Sequence, residues 1–536
     1  QEMVTISFED EIPEGIAHLA IRYSGVLGDK MAGFYRSKYI APDGTEKYLA
    51  VTQCAATDAR RVLPCGDEPA LKASFKTALI VPNGMTALSN MPKHRDIDRK
   101  DGAHEIRFGV TPKMSTYLFA CAVGELDFVE TTTKTGTLIR VYTVPGKSEQ
   151  GRFALETARR ALEFYNEYFG TPYPLPKLDL VAVPDFAAAA MENWGLVMFK
   201  ENALLIDPKN SSAKAYQWVA EVVDHELAHM WVGNLVTMQQ WSQLWLNEGF
   251  ATWMGTYVSN ALFPEWDILT QFVSGEYASA LALDGLRSSH PIEVAVEHPD
   301  EISQLFDDIS YSKGASVVRM IHQALGDEAF RRGLHIYLKR HAYGNATTED
   351  LWAALAEASG KPVAALMNSW TKQAGYPLVT FGLDVDGDHS HEVHYQERFL
   401  ASGAQLTTEE SAQAWQLPAT FFSNGGESYK YNPGQTTIAR VNYPPAYWKH
   451  LATDVREGNI SPIDRYGLAS DALALTRAGH MSTTDMLNFI TAYKDETSYT
   501  VWSAVLETLA EVHGLVEETA DSPRLEKFAL KILGRN

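Results

Sequence analysis

The chain has 536 residues, 45% of them hydrophobic and 11% aromatic, with a formal net charge of −21. A length of this order divides into several domains, and the composition is that of a globular protein rather than a disordered or fibrous one. The acidic balance argues against nucleic acid or an anionic membrane surface as a partner, since both require clustered lysine and arginine.

Residues 1–130 read as strands. "FKTALIVP", "HEIRFGV" and "TYLFACAVGELDFVE" are β-branched and aromatic runs punctuated by proline, glycine and asparagine. Three cysteines, Cys54, Cys65 and Cys121, have neither metal-site spacing nor a disulfide pattern; they favour a reducing compartment, the cytoplasm. Over 131–373 further strands ("TLIRVYTV", "KLDLVAV", "WGLVMF") lead into long helical stretches, among them "FALETARRALEFYNEYF", "YQWVAEVVDHELAHMWVG" and "WLNEGFATWMGTYVSNAL". Asn210 and Asn345 head glycosylation sequons of the kind that arise by chance. Over 374–452 alternation returns in "HEVHYQERFL", "QLPATFF", "ESYKYN" and "TTIARVNY", the pattern of a small β-sandwich. From 453 to 536 the chain reads as helix, and no run of eighteen apolar residues suggests a membrane span. The fold class is therefore multidomain α+β.

The chemistry concentrates in "VVDHELAHMW". His225 and His229 stand four residues apart, on one face of a helix, so both imidazoles can reach one ion while Glu226 projects beside it. The surrounding residues are apolar nearly all round, as for a buried helix. Three ionisable groups on such a helix are costly unless a cation compensates them. A catalytic zinc takes three protein ligands and keeps one position open. "LWLNEGFATW" supplies Glu248, nineteen residues after His229, a separation that fits a turn and a second helix packed back on the first. Alone, Glu248 would be an ordinary carboxylate at a helix start.

A second signal is "PDFAAAAMENWG", where Glu192 and Asn193 sit among small apolar residues. With "TDARRVLPCGDEP", "NEGFATW" and "ISYSKGAS", it makes the chain resemble the zinc aminopeptidases that include membrane alanyl aminopeptidase, puromycin-sensitive aminopeptidase and leukotriene hydrolase. The wording is nearest to the cytosolic alanine/arginine and puromycin-sensitive branch. The resemblance implies a β-rich saddle (1–130), a thermolysin-like catalytic domain (131–373), a β-sandwich (374–452) and the start of a helical domain (453–536), with the front of the saddle and most of the helical domain absent. It implies one Zn²⁺ per chain on His225, His229 and Glu248, with Glu226 as general base and Tyr311 as oxyanion donor. It further implies Glu192, with Gln53 and Glu248, as the grip on a free α-ammonium, and Ala189, Ala190, Met191 and Asn193 along the substrate. The implied partners are peptides with a free N-terminus.

Three departures bear on specificity. Ala189 replaces the family's glycine in G-x-M-E-N; it either carries a positive-φ strain of about 1 kcal/mol or lies extended and crowds the first side-chain pocket. Cys54 and Ala55 stand where the family usually has Met-Glu, and "HMW" and "MQQWSQLW" also differ from the commoner wording. Rival readings are a thermolysin-like endopeptidase, an epoxide hydrolase and a non-catalytic peptide-binding module.

Overall fold

The computed structural model describes residues 3–386, 389–422 and 430–534. The fold is mixed α+β, with five sheets among the described residues. The N-terminal part contains two of them. In the first, strand Gly33–Ile40 turns Tyr35, Ser37 and Tyr39 inward and Arg36, Lys38 and Ile40 outward, the period-two pattern that a half-buried strand requires. It pairs antiparallel with Glu46–Gln53, whose last residue is Gln53. The second sheet has the order Lys76–Pro82, Ala103–Val110, Lys93–Asp98.

A five-stranded sheet follows. Its central strand, Lys177–Val183, is buried at every residue because it runs parallel to both neighbours, Leu138–Thr143 and Leu196–Lys200. That explains why "LDLVAV" is apolar apart from Asp179, with no alternation to read. The strand Asp127–Thr132 pairs with Leu138–Thr143, so a boundary at 130 cuts through this sheet. The chain passes from one sheet to the next without a linker, and a local pattern cannot show which sheet a strand joins.

Against this sheet pack Arg152–Tyr168 and the motif helix Ala213–Ala228. The motif helix starts where the Ser212 side chain accepts from the Ala215 amide at 3.3 Å. The ligand helix Trp245–Leu262 lies alongside it. Their approach depends on Gly255, where a Cβ would stand 2.9 Å from the His225 nitrogen. On another face, a Cβ at Gly249 would meet Gly314 backbone at 2.7 Å. The expected helices at "FALETARR", "QWVAEVVDHELA" and "WLNEGFATW" are thus present, and small residues let two of them touch.

Over 374–452 the described residues form one three-stranded sheet, Pro377–Asp386 between His389–Arg398 and Arg440–Asn442, with no second sheet facing it. The segment "PATFF", expected as strand, holds a 3₁₀ turn at Ala419–Phe421 following Pro418; the first half of "ESYKYN" lies outside the described residues. Helices then run from Pro445 onward, including Pro462–Arg477 and Tyr499–Val516. A buried Arg440–Asp471 contact at 2.9 Å fastens the small sheet to them. The Asn345 amide donates to the Pro69 and Met238 carbonyls, each at 3.0 Å, so this sequon residue is spent on packing. Among the described residues no helix is long and apolar enough to cross a membrane.

Candidate active site

Three donor atoms from two helices converge. His225 Nε2 and His229 Nε2 are 3.0 Å apart, and each lies 3.3 Å from Glu248 Oε2. Ligands at 2.0–2.1 Å around a tetrahedral zinc ion stand about 3.3 Å from one another, so the triangle has the size such an ion needs. The His229 ring is also held in the right tautomer. His229 Nδ1 faces the Val232 carbonyl at 3.1 Å, and a carbonyl only accepts, so Nδ1 carries the proton and Nε2 presents its lone pair. His225 Nδ1 lies 3.3 Å from the Thr252 hydroxyl on the ligand helix. The residues present therefore fit a divalent cation.

The electrostatics call for positive charge at the same point. Burial lowers the affinity of His229 for a proton, but Glu192, Glu248 and Glu226 outweigh it and hold the imidazole up at about 10. Burial raises Glu248, yet the two histidines pull it well below the usual carboxylate range. Glu226 behaves differently. Burial pushes it well above its ordinary value; His229 offsets part of this, while Glu192 and Glu248 add to it. Its Oε2 is buried without a hydrogen-bond partner. A carboxyl so placed is suited to accept a proton and give it back.

Tyr311 lies on a π-helical turn, Ile309–Lys313, with its ring stacked at 6.2 Å on His225. Burial first, then the charges of Glu248, Glu192 and Glu226, keep its phenol protonated. The turn is anchored by Lys313, fully buried against Asp284 at 2.8 Å. Removing one partner of such a pair costs about 3–5 kcal/mol.

His225, Glu226, His229, Glu248 and Tyr311 line one cavity of about 1030 Å³. Gln53 enters it from the end of its strand, with Oε1 buried and unpaired. Ala189, Ala190, Met191 and Glu192 form its edge. Ala190 and Met191 pair with Phe199 and Met198, and the Ala189 carbonyl accepts from the Lys200 amide at 2.9 Å. Ala189 does not have positive φ, which removes the strained alternative, and it lies at the cavity edge. Glu192 is 6% exposed; burial raises its pKa, His229 pulls it down and Glu248 pushes it up. Asn193 is fully buried and outside the cavity lining, its amide 3.5 Å from the Tyr117 carbonyl.

Several residues that fix this arrangement carry no sequence signal. Lys177, buried in the central strand, donates to the Ser89 and Gly195 carbonyls at 2.8 and 2.6 Å and pairs with Asp179 at 2.7 Å. It thereby clamps the turn after Glu192 to the N-terminal sheet. Asn234 donates to the Glu192 carbonyl at 2.9 Å, while its own amide donates to the His229 carbonyl at 2.9 Å. It couples the second histidine to the acidic edge. Thr252 and Gly255 are likewise legible only once the two helices are seen side by side.

A two-histidine, one-carboxylate donor set beside an unpaired carboxyl is the equipment of a metal-dependent hydrolase. Comparison with known proteins sharpens this. Residues 153–370 match the peptidase family M1 domain, residues 1–118 the peptidase M1 N-terminal domain, and residues 428–535 an ERAP1-like C-terminal domain. The chain is 46% identical to aminopeptidase M1-A of Oryza sativa subsp. japonica, over 99% of its own length and 63% of that protein's. It is 44% identical to the alanine/arginine aminopeptidase of Saccharomyces cerevisiae, with 99% and 64% covered. It is also 41% identical to the puromycin-sensitive aminopeptidase of Caenorhabditis elegans, with 97% and 57% covered. The chain belongs to peptidase family M1. It spans about three-fifths of the length of these relatives.

Proposed function

We propose that the chain is a zinc aminopeptidase that removes the first residue from peptides with a free N-terminus. The observation that carries this reading is the sharing of one cavity by the three converging donors, the unpaired Glu226 and the buried Glu192. Held by His225, His229 and Glu248, one zinc ion per chain would supply a Lewis acid that polarises the scissile carbonyl and acidifies water.

The chain's own residues do the rest. Glu192, with Gln53 beside it, receives the substrate's α-ammonium; a buried carboxylate makes its strongest contacts with a cation placed against it. An internal stretch of peptide carries no such cation, and that selects chain ends. Glu248 reaches the same region and shares the charge. Ala190 and Met191 offer strand backbone along which the first residue lies extended, and the methyl of Ala189 limits the room for its side chain. Glu226 takes a proton from the attacking water and delivers it to the departing amine. Tyr311 donates its hydroxyl to the oxygen that gains negative charge, a contribution of about 3 kcal/mol for a donor of this kind. Asn193 acts from behind, holding the backbone on which Glu192 is mounted. The three free cysteines fit a cytoplasmic setting, which fractionation of expressing cells would test.

Metal content, together with turnover of alanyl, leucyl and arginyl amides with and without a chelator, tests the reading. The expected result is one zinc per chain and activity that a chelator abolishes. Acetylation of the peptide amine should stop cleavage; an endopeptidase would still cut, and equal cutting of both forms would overturn the proposal. Bound zinc with no turnover of any amide would favour a peptide-binding module.

A further inference from the structure

The motif helix carries a fourth ionisable group, Glu221, on the face it turns to the cavity. Glu221 precedes His225 by four residues and His229 by eight, which places it about 6 Å and about 12 Å up the helix axis from them. Glu192 interacts with the His229 end. Glu221 therefore marks the opposite end of the cavity, beyond the donor triangle as seen from Glu192.

Its surroundings differ from those of the other carboxylates. Among the described residues Glu221 makes no hydrogen bond and no ion pair; the charges it senses are like charges. Burial first, then the neighbouring Glu276, push it up to about 7. Glu276 sits on a second π-helical turn, Val273–Tyr277, and accepts from the Ser312 hydroxyl at 2.5 Å. That bond ties it to the turn bearing Tyr311, so both carboxylates are fixed relative to the reaction centre. Burial raises Glu276 too; Ser312 offsets part of this and Asp308 adds to it. Apart from the two histidines, the basic side chain among the described lining residues is Arg61, which already pairs with Asp58 at 2.5 Å.

An independent feature accompanies the pair. Trp218, three residues before Glu221 and on the same helical face, lines the cavity with 46% of its surface exposed. A half-exposed indole beside two uncompensated carboxylates suits a cation on a long aliphatic stem: the ring packs against methylenes and attracts the charge, and the carboxylates accept its hydrogen bonds.

Resting on the aminopeptidase reading above, we propose that this end of the cavity is a subsite for a lysine or arginine side chain on the residue that follows the scissile bond, held by Glu221 and Glu276 with Trp218 against its stem. The direction follows from the layout. A substrate anchored by its ammonium at Glu192, with its first carbonyl at the donor triangle, has its second residue at the Glu221 end.

The test compares Ala-Lys-Ala-Ala, Ala-norleucine-Ala-Ala and Ala-Glu-Ala-Ala on the zinc-loaded protein, reading kcat/KM for release of the first alanine. Each ratio is taken within one protein, so that any general loss of activity cancels. The wild type should favour lysine over norleucine by roughly tenfold or more, the size of a charge-assisted contact, and should disfavour glutamate further. Glu221→Gln and Glu276→Gln should each shrink the lysine-to-norleucine ratio several-fold. Glu221→Lys should invert the preference toward the glutamate peptide. Calorimetric binding of the three peptides to the Glu226→Gln protein gives the same ranking without turnover. A lysine-to-norleucine ratio near one in the wild type, or one unchanged in both glutamine variants, would overturn the subsite. Absence of alanyl amide turnover in the wild type would overturn the underlying activity instead, which keeps the two failures distinct.

Discussion

The cavity holds two groups of carboxylates, and they are treated in opposite ways. At one end Glu192, Glu226 and Glu248 surround His225 and His229, whose Nδ1 atoms lie against the Thr252 hydroxyl and the Val232 carbonyl while their Nε2 atoms face one another. At the other end Glu221 and Glu276 repel each other without a positive partner among the described residues. The difference teaches what each end is built to hold. Donors arranged in a triangle of about 3 Å sides match a small ion and keep it. Two like-charged carboxylates in a cavity that an indole also lines suit a larger cation that comes and goes.

The largest effect that would break this contrast lies at Glu226. Glu226→Gln removes proton transfer while leaving the three donors in place, so kcat should fall by about 10²–10⁴ with metal content unchanged by atomic absorption. Wild-type turnover in the variant would remove Glu226 from the proton path and leave its burial unexplained. Glu192→Ala should lower kcat/KM for free-ended peptides by roughly 10–100-fold, the loss of one charge-assisted contact. Its residual cleavage should discriminate less between free and acetylated peptides. If the free-to-acetylated ratio stays at the wild-type value, another group carries the recognition of the terminus.

The two ends also differ in how far the sequence discloses them. His225, Glu226 and His229 are legible because helical spacing alone puts them on one face, and Glu248 because a third ligand must come from nearby. The position of Glu192 is legible through its motif. What fixes these groups is not. Lys177 looks like a surface lysine yet is buried as a clamp between two sheets, and Lys313 looks like part of a turn yet is sealed against Asp284. Glu221 reads as one more polar residue on the motif helix, and its meaning depends on Glu276, fifty-five positions away on a π-helical turn that local periodicity cannot reveal. The region 374–452 is less regular than its sequence pattern suggests for a similar reason: short apolar runs next to proline fit a strand or a 3₁₀ turn equally well.

Geometry at the metal end can be strained directly. In Gly255→Ala the added Cβ would meet the His225 backbone at about the 2.9 Å found for an ideal Cβ, forcing the motif and ligand helices apart. Overpacking of this kind costs about 1–3 kcal/mol, readable as a lower denaturation midpoint. Zinc affinity should fall with it, because Glu248 rides on the displaced helix. Retained stability and affinity would mean that the triangle tolerates a wider helix separation than its 3.3 Å edges suggest.

Glu410 is a third kind of carboxylate, compensated by protein rather than by ion or ligand. The Arg287 guanidinium and the Thr407 amide hold it at about 2, with Arg398 adding to the effect. Its pKa is depressed in the folded state. The stability it confers is therefore present in full above the unfolded value, near 4.3, and is lost as pH falls from about 5 toward about 2. Glu410→Gln should destabilise the protein at pH 7, and the gap between variant and wild type should close on acidification. A gap independent of pH would assign the effect to lost packing.

The smallest expected effect tests the edge on which Glu192 is mounted. Ala189 stands where the family has glycine, and its backbone is neither in the left-handed region nor free, since its carbonyl is committed to the Lys200 amide. Ala189→Gly therefore relieves no strain in the fold and removes only a methyl from the cavity edge. Stability should stay the same or drop by a few tenths of a kcal/mol through added freedom in the unfolded chain. The kinetic profile across amino-acid amides should shift modestly toward larger first residues, because the pocket for the first side chain gains one methyl's volume. An unchanged profile would place that side chain away from Ala189, and with it would move the path by which a substrate runs from Glu192 to the donor triangle.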